Sequence, residues 1–312
     1  MANFQEELIQ KLNDKNLSEG SIKLYIRNLQ KLNNGQLLSF KFLNKVDNIL
    51  GKISKFKANT QRGILISIVS VLGCCPEDKK LIKLRNQYYK LMNEKNTEIK
   101  ENATDEPTEE QKANWISWDD VKAKFNELHE EVEKFKDNKK INEKESDTLL
   151  CYMLLALYIY VPPRRNKDYQ FMNVVKKYND SLDDDINYLS YEDNRFIFNV
   201  YKTSKKYGKQ IIEINPDLKA CIDIYLKFHP KILGKITKKT NQPLLVLDGH
   251  PLVQTNSITK LLNRTFGKKI SSSALRHIFL SDKYKDVAKD MKEDAEIMAH
   301  SVGQQKEYIK NT

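Results

Sequence analysis

Long apolar runs are missing from this chain of 312 residues. No stretch reaches the roughly 20 apolar residues that a membrane-spanning helix needs, which excludes that class of protein. The opening MANFQEELIQKLND is amphipathic and charged, without the basic-then-apolar order of a secretory leader, so a soluble, intracellular protein is expected. Metal-ligand spacing is missing as well. The four cysteines, Cys74, Cys75, Cys151 and Cys221, show no such spacing, and the adjacent pair cannot readily bridge, so reduced thiols are expected. The five histidines, His129, His229, His250, His277 and His300, stand too far apart to suggest a zinc site. No nucleotide-cofactor motif occurs, and neither a cofactor nor a metal is expected.

What the chain has in excess is positive charge. Lys and Arg number 53 against 42 Asp and Glu, a formal net charge of +11, which favours a polyanionic partner such as nucleic acid. Many of these cations are interleaved with acids, as in NEKNTEIKENATDEPTEEQK, so position carries more information than the total. The length allows two ordinary domains, each with a core of its own.

Residues 1–92 read as a helical unit. In SEGSIKLYIRNLQKL, Ser18 or Ser21 can cap a helix whose apolar face is Ile22, Tyr25, Leu29 and Leu32. Lys23, Arg27 and Lys31 recur every four residues on another face, and the segment KISKFK adds Lys52, Lys55 and Lys57. Both sets are candidates for contact with a phosphate backbone. TQRGILISIVSVLG is apolar on most sides and should form the centre of a small bundle, and DKKLIKLRNQYYKLM completes it. Residues 93–114 lack an apolar period, are rich in charge, Asn and Thr, and contain Pro107, which predicts a linker.

Residues 115–312 read as a second unit. Ser117 should cap a helix over SWDDVKAKFNELHEEVEKF, and SDTLLCYMLLALYIY is apolar all round, the mark of a buried helix that the prolines of VPPRRNKD end. Between about 187 and 215 the period changes to two. NYLSYE, RFIFNVYK and KQIIEIN predict a three-stranded antiparallel sheet, and the remainder, including LKACIDIYLKF, SITKLLNRTF, ALRHIFLSDKY and DAEIMAH, returns to helix. The expected fold is mainly α with a small antiparallel sheet.

Five residues in order draw attention: Arg165 in PPRRNKD, Lys202 in VYKTSKKYGK, Arg276 in SSALRH, His300 in MAHS and Tyr308 in KEY. This order resembles that of the tyrosine recombinase, or phage integrase, family. There a first arginine follows a buried helix and precedes an acidic residue by three positions, as Arg165 precedes Asp168, whereas Arg164 misses that spacing by one. The family's lysine lies at a turn between two strands, the place of Lys202, with Lys205 and Lys206 as rivals in the same turn. Its second arginine stands in a His-x-x-Arg-His motif, matched by Ser273-Ala274-Leu275-Arg276-His277 except at the first position. A His or Trp and the nucleophilic tyrosine come last, as His300 and Tyr308 do. The resemblance covers nearly the whole chain: the first unit looks like a core-binding domain and SWDDVKAKF like the opening helix of an α+β catalytic domain.

The resemblance implies a site-specific recombinase that cleaves and rejoins double-stranded DNA without metal or ATP, with a clamp around the duplex and a tetramer on two DNA sites. Arg165 and Arg276 would hold the scissile phosphate, as two fixed forks of donors are suited to do. Tyr308 would form a covalent 3′-phosphotyrosyl bond, and Lys202 would protonate the departing 5′-oxygen. His300 would bond the phosphate or shuttle the tyrosine proton. Ser273, in place of the usual histidine, would make that phosphate contact itself, or the role passes to His277. IKNT, after Tyr308, is too short for the helix with which family members dock onto a neighbour, so exchange between subunits should use another element. Richness in Lys and Asn suggests an AT-rich genome, and the resemblance a virus or mobile element. Two alternatives share the residues: a type IB topoisomerase-like nicking and resealing enzyme, and a DNA-binding protein that has kept the fold without the reaction.

One property follows from charge alone. Affinity for a mixed-sequence duplex, measured by fluorescence anisotropy, should fall steeply between low and moderate salt as counterions are released, and a flat response would remove the nucleic-acid expectation.

Overall fold

The computed structural model describes residues 4–103 and 108–309, which divide into two compact units, Met1–Glu106 and Pro107–Thr312. The boundary falls inside the expected linker. Helix dominates both units, and the second also holds a small mixed sheet of five strands and a separate two-stranded one.

In the first unit, α1 (Phe4–Asp14), α2 (Glu19–Leu32), a single 3₁₀ turn at Lys41–Asn44, α3 (Val46–Ile53), α4 (Ala58–Leu72) and α5 (Lys79–Glu101) enclose one apolar core. Ser18 rather than Ser21 caps α2, its hydroxyl accepting from the Ser21 amide, which satisfies one of the free N–H groups of the first turn. As its composition predicts, α4 is the spool of the bundle, burying Ile64, Leu65, Ile68, Val69, Val71 and Leu72, and α2 and α5 pack along it. The buried Tyr88 hydroxyl of α5 donates to the Leu43 carbonyl at 2.8 Å and ties α5 to the 3₁₀ turn.

The expected linker over 93–114 is mostly helix, a correction with a local cause. Asp78 starts α5 by accepting from the Lys80 and Leu81 amides, and nothing in the following residues stops it. Lys90–Glu94 and Lys95–Glu98 pairs on its surface support the extension without any apolar period. Residues 109–114 form α6 (Glu109–Asn114) behind a Thr108/Gln111 capping box. Residues 104–107 lie outside the described residues.

The second unit continues with α7 (Trp118–Glu133), capped by Ser117 in a capping box with Asp120, and α8 (Glu143–Ile159). Every residue from Leu149 to Tyr158 is buried, so α8 is the axis against which α7 and later helices pack. The chain then runs through Pro162 and Pro163 into α9 (Asn166–Gln170), β1 (Asn173–Val175), β2 (Tyr188–Ser190), β3 (Arg195–Phe198), the one-turn α10 (Ser204–Tyr207), β4 (Gln210–Glu213), α11 (Pro216–Phe228) and β5 (Asn241–Pro243). The hairpin of β6 (Val246–Leu247) and β7 (His250–Pro251) precedes α12 (Ser257–Phe266), α13 (Ser272–Lys283), α14 (Lys285–Ile297) and α15 (Val302–Tyr308).

The predicted strands are β2, β3 and β4, antiparallel as expected, with Leu189 opposite Phe196 and Phe196 opposite Ile212. The sheet as a whole is mixed, because β1 pairs with β2 in parallel and β5 joins β1 on the other edge, giving the order β4-β3-β2-β1-β5. At three residues each, β1 and β5 are too short to show a period of two. The β6–β7 turn uses Asp248 and Gly249, both with positive φ, the backbone of a tight hairpin turn.

A buried imidazole closes the loop between α11 and β5. His229 donates from Nε2 to the Pro243 carbonyl at 2.9 Å, and its Nδ1 accepts from the Lys231 amide at 3.3 Å, so the neutral ring satisfies both partners. Burial holds this histidine below its ordinary value of 6.5. The unfolded chain therefore takes up the proton first: the stabilisation is complete above about 6.5 and is lost as pH falls through the lower folded value. Thermal unfolding followed by circular dichroism should show a steeper loss of Tm from pH 7.5 to pH 5 in the unaltered protein than in His229→Gln.

Candidate active site

The prolines that end α8 deliver two consecutive arginines to the start of α9. Arg165 is the N-cap residue of α9 with an extended backbone, and its side chain is half-buried. The second arginine arrives on α13, whose N-cap Ser271 accepts from the Ala274 amide; this places Arg276 on the second turn, also half-buried. Arg276 donates from Nη2 to the Ser273 hydroxyl at 2.9 Å and from Nε to the Ser272 carbonyl at 3.4 Å. Ser273, expected to contact the phosphate itself or to cede that role to His277, here accepts a hydrogen bond from Arg276.

The two guanidiniums share one electrostatic environment. Partial burial lowers Arg276 from its ordinary value, Arg165 lowers it further by repulsion, and Asp168 and Tyr158 oppose both effects. Asp168 is buried at the far side of α9's single turn. Burial pushes its carboxyl up, whereas Arg164 and Arg165 pull it down. The arginine that pairs with it directly is Arg164, from Nε to Oδ2 at 2.9 Å, with only 14% and 4% of the two side chains exposed. Arg164 stacks over the Phe198 ring at 3.8 Å and donates from Nη1 to Gln210 Oε1 at 3.0 Å.

Beneath these groups lies Tyr158 of α8, wholly enclosed. Burial pushes its phenol far above the usual tyrosine range, with Ser272 pulling the other way. Its hydroxyl donates to Asn166 Oδ1 at 3.4 Å, and Asn166 Nδ2 donates to the Thr259 hydroxyl at 2.9 Å, so α8, α9 and α12 meet at this point.

Lys202 lies in the connection between β3 and β4, exposed, and among the described residues it makes no hydrogen bond or ion pair. Its rivals Lys205 and Lys206 are on α10, also exposed, with the Lys206 ammonium 5.1 Å from the Tyr207 ring centre. Tyr308 is the last residue of α15, which Ser301 caps. The His300 and Tyr308 rings meet edge to face, centroids 5.8 Å apart, and Gln304 Nε2 donates to the Tyr308 hydroxyl at 3.4 Å. Among the described residues, His300 Nε2 is buried without a hydrogen-bond partner. Tyr308 is 67% exposed, and among the described residues no contact joins it to either arginine. His277 stands exposed on α13, likewise without a hydrogen bond among the described residues.

Of the basic residues in the first unit, Lys31 and Lys55 converge, their ammonium groups 4.4 and 5.6 Å from the Phe56 ring centre. Lys57 is exposed at the start of α4 and Arg27 is exposed on α2. Lys23 pairs with Glu19 on the surface. Lys52 is otherwise engaged: its ammonium donates to the Leu32 carbonyl at 2.7 Å at the end of α2, which removes it from the candidates for a freely presented cation.

Arg164 was set aside on its spacing to Asp168, and Tyr158, Ser272 and Gln210 were not singled out from the sequence. The i,i+4 spacing of Arg164 and Asp168 is a signal of an ion pair that the sequence contains. The other three are brought in by long-range packing and leave none. All four cysteines are free, and no helix among the described residues is long and apolar enough to cross a membrane. No protein-family model matches the chain, and searches of curated proteins and of solved structures return no match.

Because Asp168 is the carboxylate that Arg164 and Arg165 face, its removal leaves buried positive charge uncompensated. Asp168→Ala should destabilise the protein by ~3 kcal/mol, the scale for breaking a buried ion pair, as read from the midpoint of urea unfolding.

Proposed function

We propose that this chain is a tyrosine recombinase that cuts and rejoins duplex DNA through a covalent 3′-phosphotyrosyl intermediate. The observation that carries the reading is that the buried Tyr158 hydroxyl bonds both Asn166, next to Arg165 at the start of α9, and Ser272, one turn before Arg276 on α13, so that two arginines distant in sequence face one environment. Asp168 offsets the repulsion between the two guanidiniums only in part, and a phosphodiester between the two forks would relieve the rest.

In the proposed reaction Tyr308 attacks the scissile phosphorus. A bond forms from the phenolic oxygen to phosphorus as the bond to the 5′-oxygen breaks, and the phenolic proton leaves toward His300. Arg165 and Arg276 hold the non-bridging oxygens, where negative charge grows. Lys202 gives its proton to the departing 5′-oxygen. The reverse sequence, with a 5′-hydroxyl from a second duplex, rejoins the strand and conserves the energy of the broken bond. Arg27, Lys31, Lys55 and Lys57 of the first unit contact the phosphate backbone, and recombination takes four chains on two DNA sites. The same cut and reseal by one chain would be a topoisomerase-like activity, which strand transfer between two labelled duplexes distinguishes.

A second reading rests on the exposure of Tyr308 and its separation from the arginines: a DNA-binding protein that keeps this arrangement without cleaving. Incubation with a nicked, random-sequence duplex pool, followed by a denaturing gel, decides between them. The recombinase reading expects a covalent protein–DNA band that disappears in Tyr308→Phe while DNA retention on a native gel is unchanged. Retention without any covalent band would establish the non-cleaving reading.

A further inference from the structure

The β3–β4 connection that carries Lys202 is an exposed segment, yet its root is fastened to the helix that presents Arg165. Asn187, itself buried, donates to the Asp168 carbonyl at 3.0 Å and to the Val200 carbonyl at 2.9 Å, and accepts from the Val200 amide at 2.8 Å. That bridge holds only the outgoing strand. The returning strand is paired to β3 with Gln210 opposite Phe198, and a side chain ties that stem to α9 as well: Arg164 binds Asp168 by one edge and Gln210, the first residue of β4, by the other. Its face covers Phe198 at the end of β3, and its centre lies 5.3 Å from the Tyr201 ring, whose hydroxyl closes the loop by donating to the Gly208 carbonyl at 2.7 Å. One guanidinium therefore touches both stems of the loop and the carboxylate under the arginine pair.

We propose that Arg164 is a positioning residue for the proton-donating lysine, fixing the Lys202 loop relative to Arg165 through Asp168; this rests on the recombinase reading above. A long flexible lysine on an exposed loop has many poses, and general acid catalysis requires it within hydrogen-bond reach of the departing oxygen. Arg164 supplies that constraint without touching DNA. Lysine cannot replace it, since two directions of donation and a planar face are used together.

The test separates loss of proton donation from loss of phosphate binding. A duplex sequence captured covalently from the random pool is synthesised in two forms, one with the normal 5′-oxygen and one with sulfur at that bridging position. Sulfur departs as a thiolate and needs no proton from Lys202. Arg164→Met should form the covalent adduct about tenfold or more slowly on the oxygen duplex, the low end of what a positioned acid contributes, and at nearly the unaltered rate on the sulfur duplex. Arg164→Lys should behave in the same way, and Gln210→Ala, which removes only the Arg164 bond to the β4 stem, should show a smaller deficit with the same selectivity. Equal deficits on both duplexes, or none on either, would overturn the proposal. If Arg164→Met fails to fold by circular dichroism, the Gln210→Ala comparison decides alone. Should the unaltered protein capture no DNA from the pool, the recombinase reading fails and this inference with it; capture together with equal deficits removes only the role of Arg164.

Discussion

Three guanidiniums, Arg164, Arg165 and Arg276, interact with one buried carboxylate, Asp168, and the second unit is arranged to make that imbalance tolerable. A charge withdrawn from water is costly unless its neighbours hydrogen-bond it, and α9 is short enough that Asp168 sits within one turn of both adjacent arginines. Only Arg164 consumes the carboxylate directly. Arg165 and Arg276 are left with charge to spare, one at a helix start and the other held by Ser273 and the Ser272 carbonyl. The buried part of α8 matters here as a floor: Tyr158 places a hydroxyl under the cluster while Leu149 to Leu157 exclude water.

The first unit follows a simpler rule. A helix apolar on most sides, α4, can be stable only as the centre of a bundle, and the amphipathic helices around it turn their charges outward. Phe56, half-buried between Lys31 and Lys55, gathers cations from two separate segments onto one ring. The same surface chemistry has a structural use elsewhere, since Lys52 terminates α2.

Much of this fold is legible in the sequence. Apolar periods and caps marked α2, α4, α7 and α8, and the change of period marked β2, β3 and β4, because these elements obtain their stability from faces that the local sequence must encode. What stayed hidden depends on partners remote in the chain. The three-residue strands β1 and β5 exist because a sheet edge was there to pair with, and α5 runs on to Glu101 through polar residues because surface ion pairs replace an apolar face. The site divided along the same line. Arg165, Arg276 and the Lys202 loop were candidates only through a resemblance in order and surroundings. The contribution of Arg164 could not be read in that way, since its value comes from Gln210 and Phe198 across the sheet.

Helix α14 is exposed at nearly every position, with Ala295 its one buried residue, and its main packing is against α13 and α15. A helix held by so little apolar surface has a small free energy of local opening, far below that of the core around α8. On the proposed reading this makes the nucleophile's segment a thermodynamic valve. On that reading the cleavage rate would be the intrinsic rate multiplied by the fraction of time that α15 docks Tyr308 at the scissile phosphate, and each ~1.4 kcal/mol of that docking energy would change it tenfold. A partner that stabilised the docked segment would govern when the strand breaks without contributing a single atom to the chemistry.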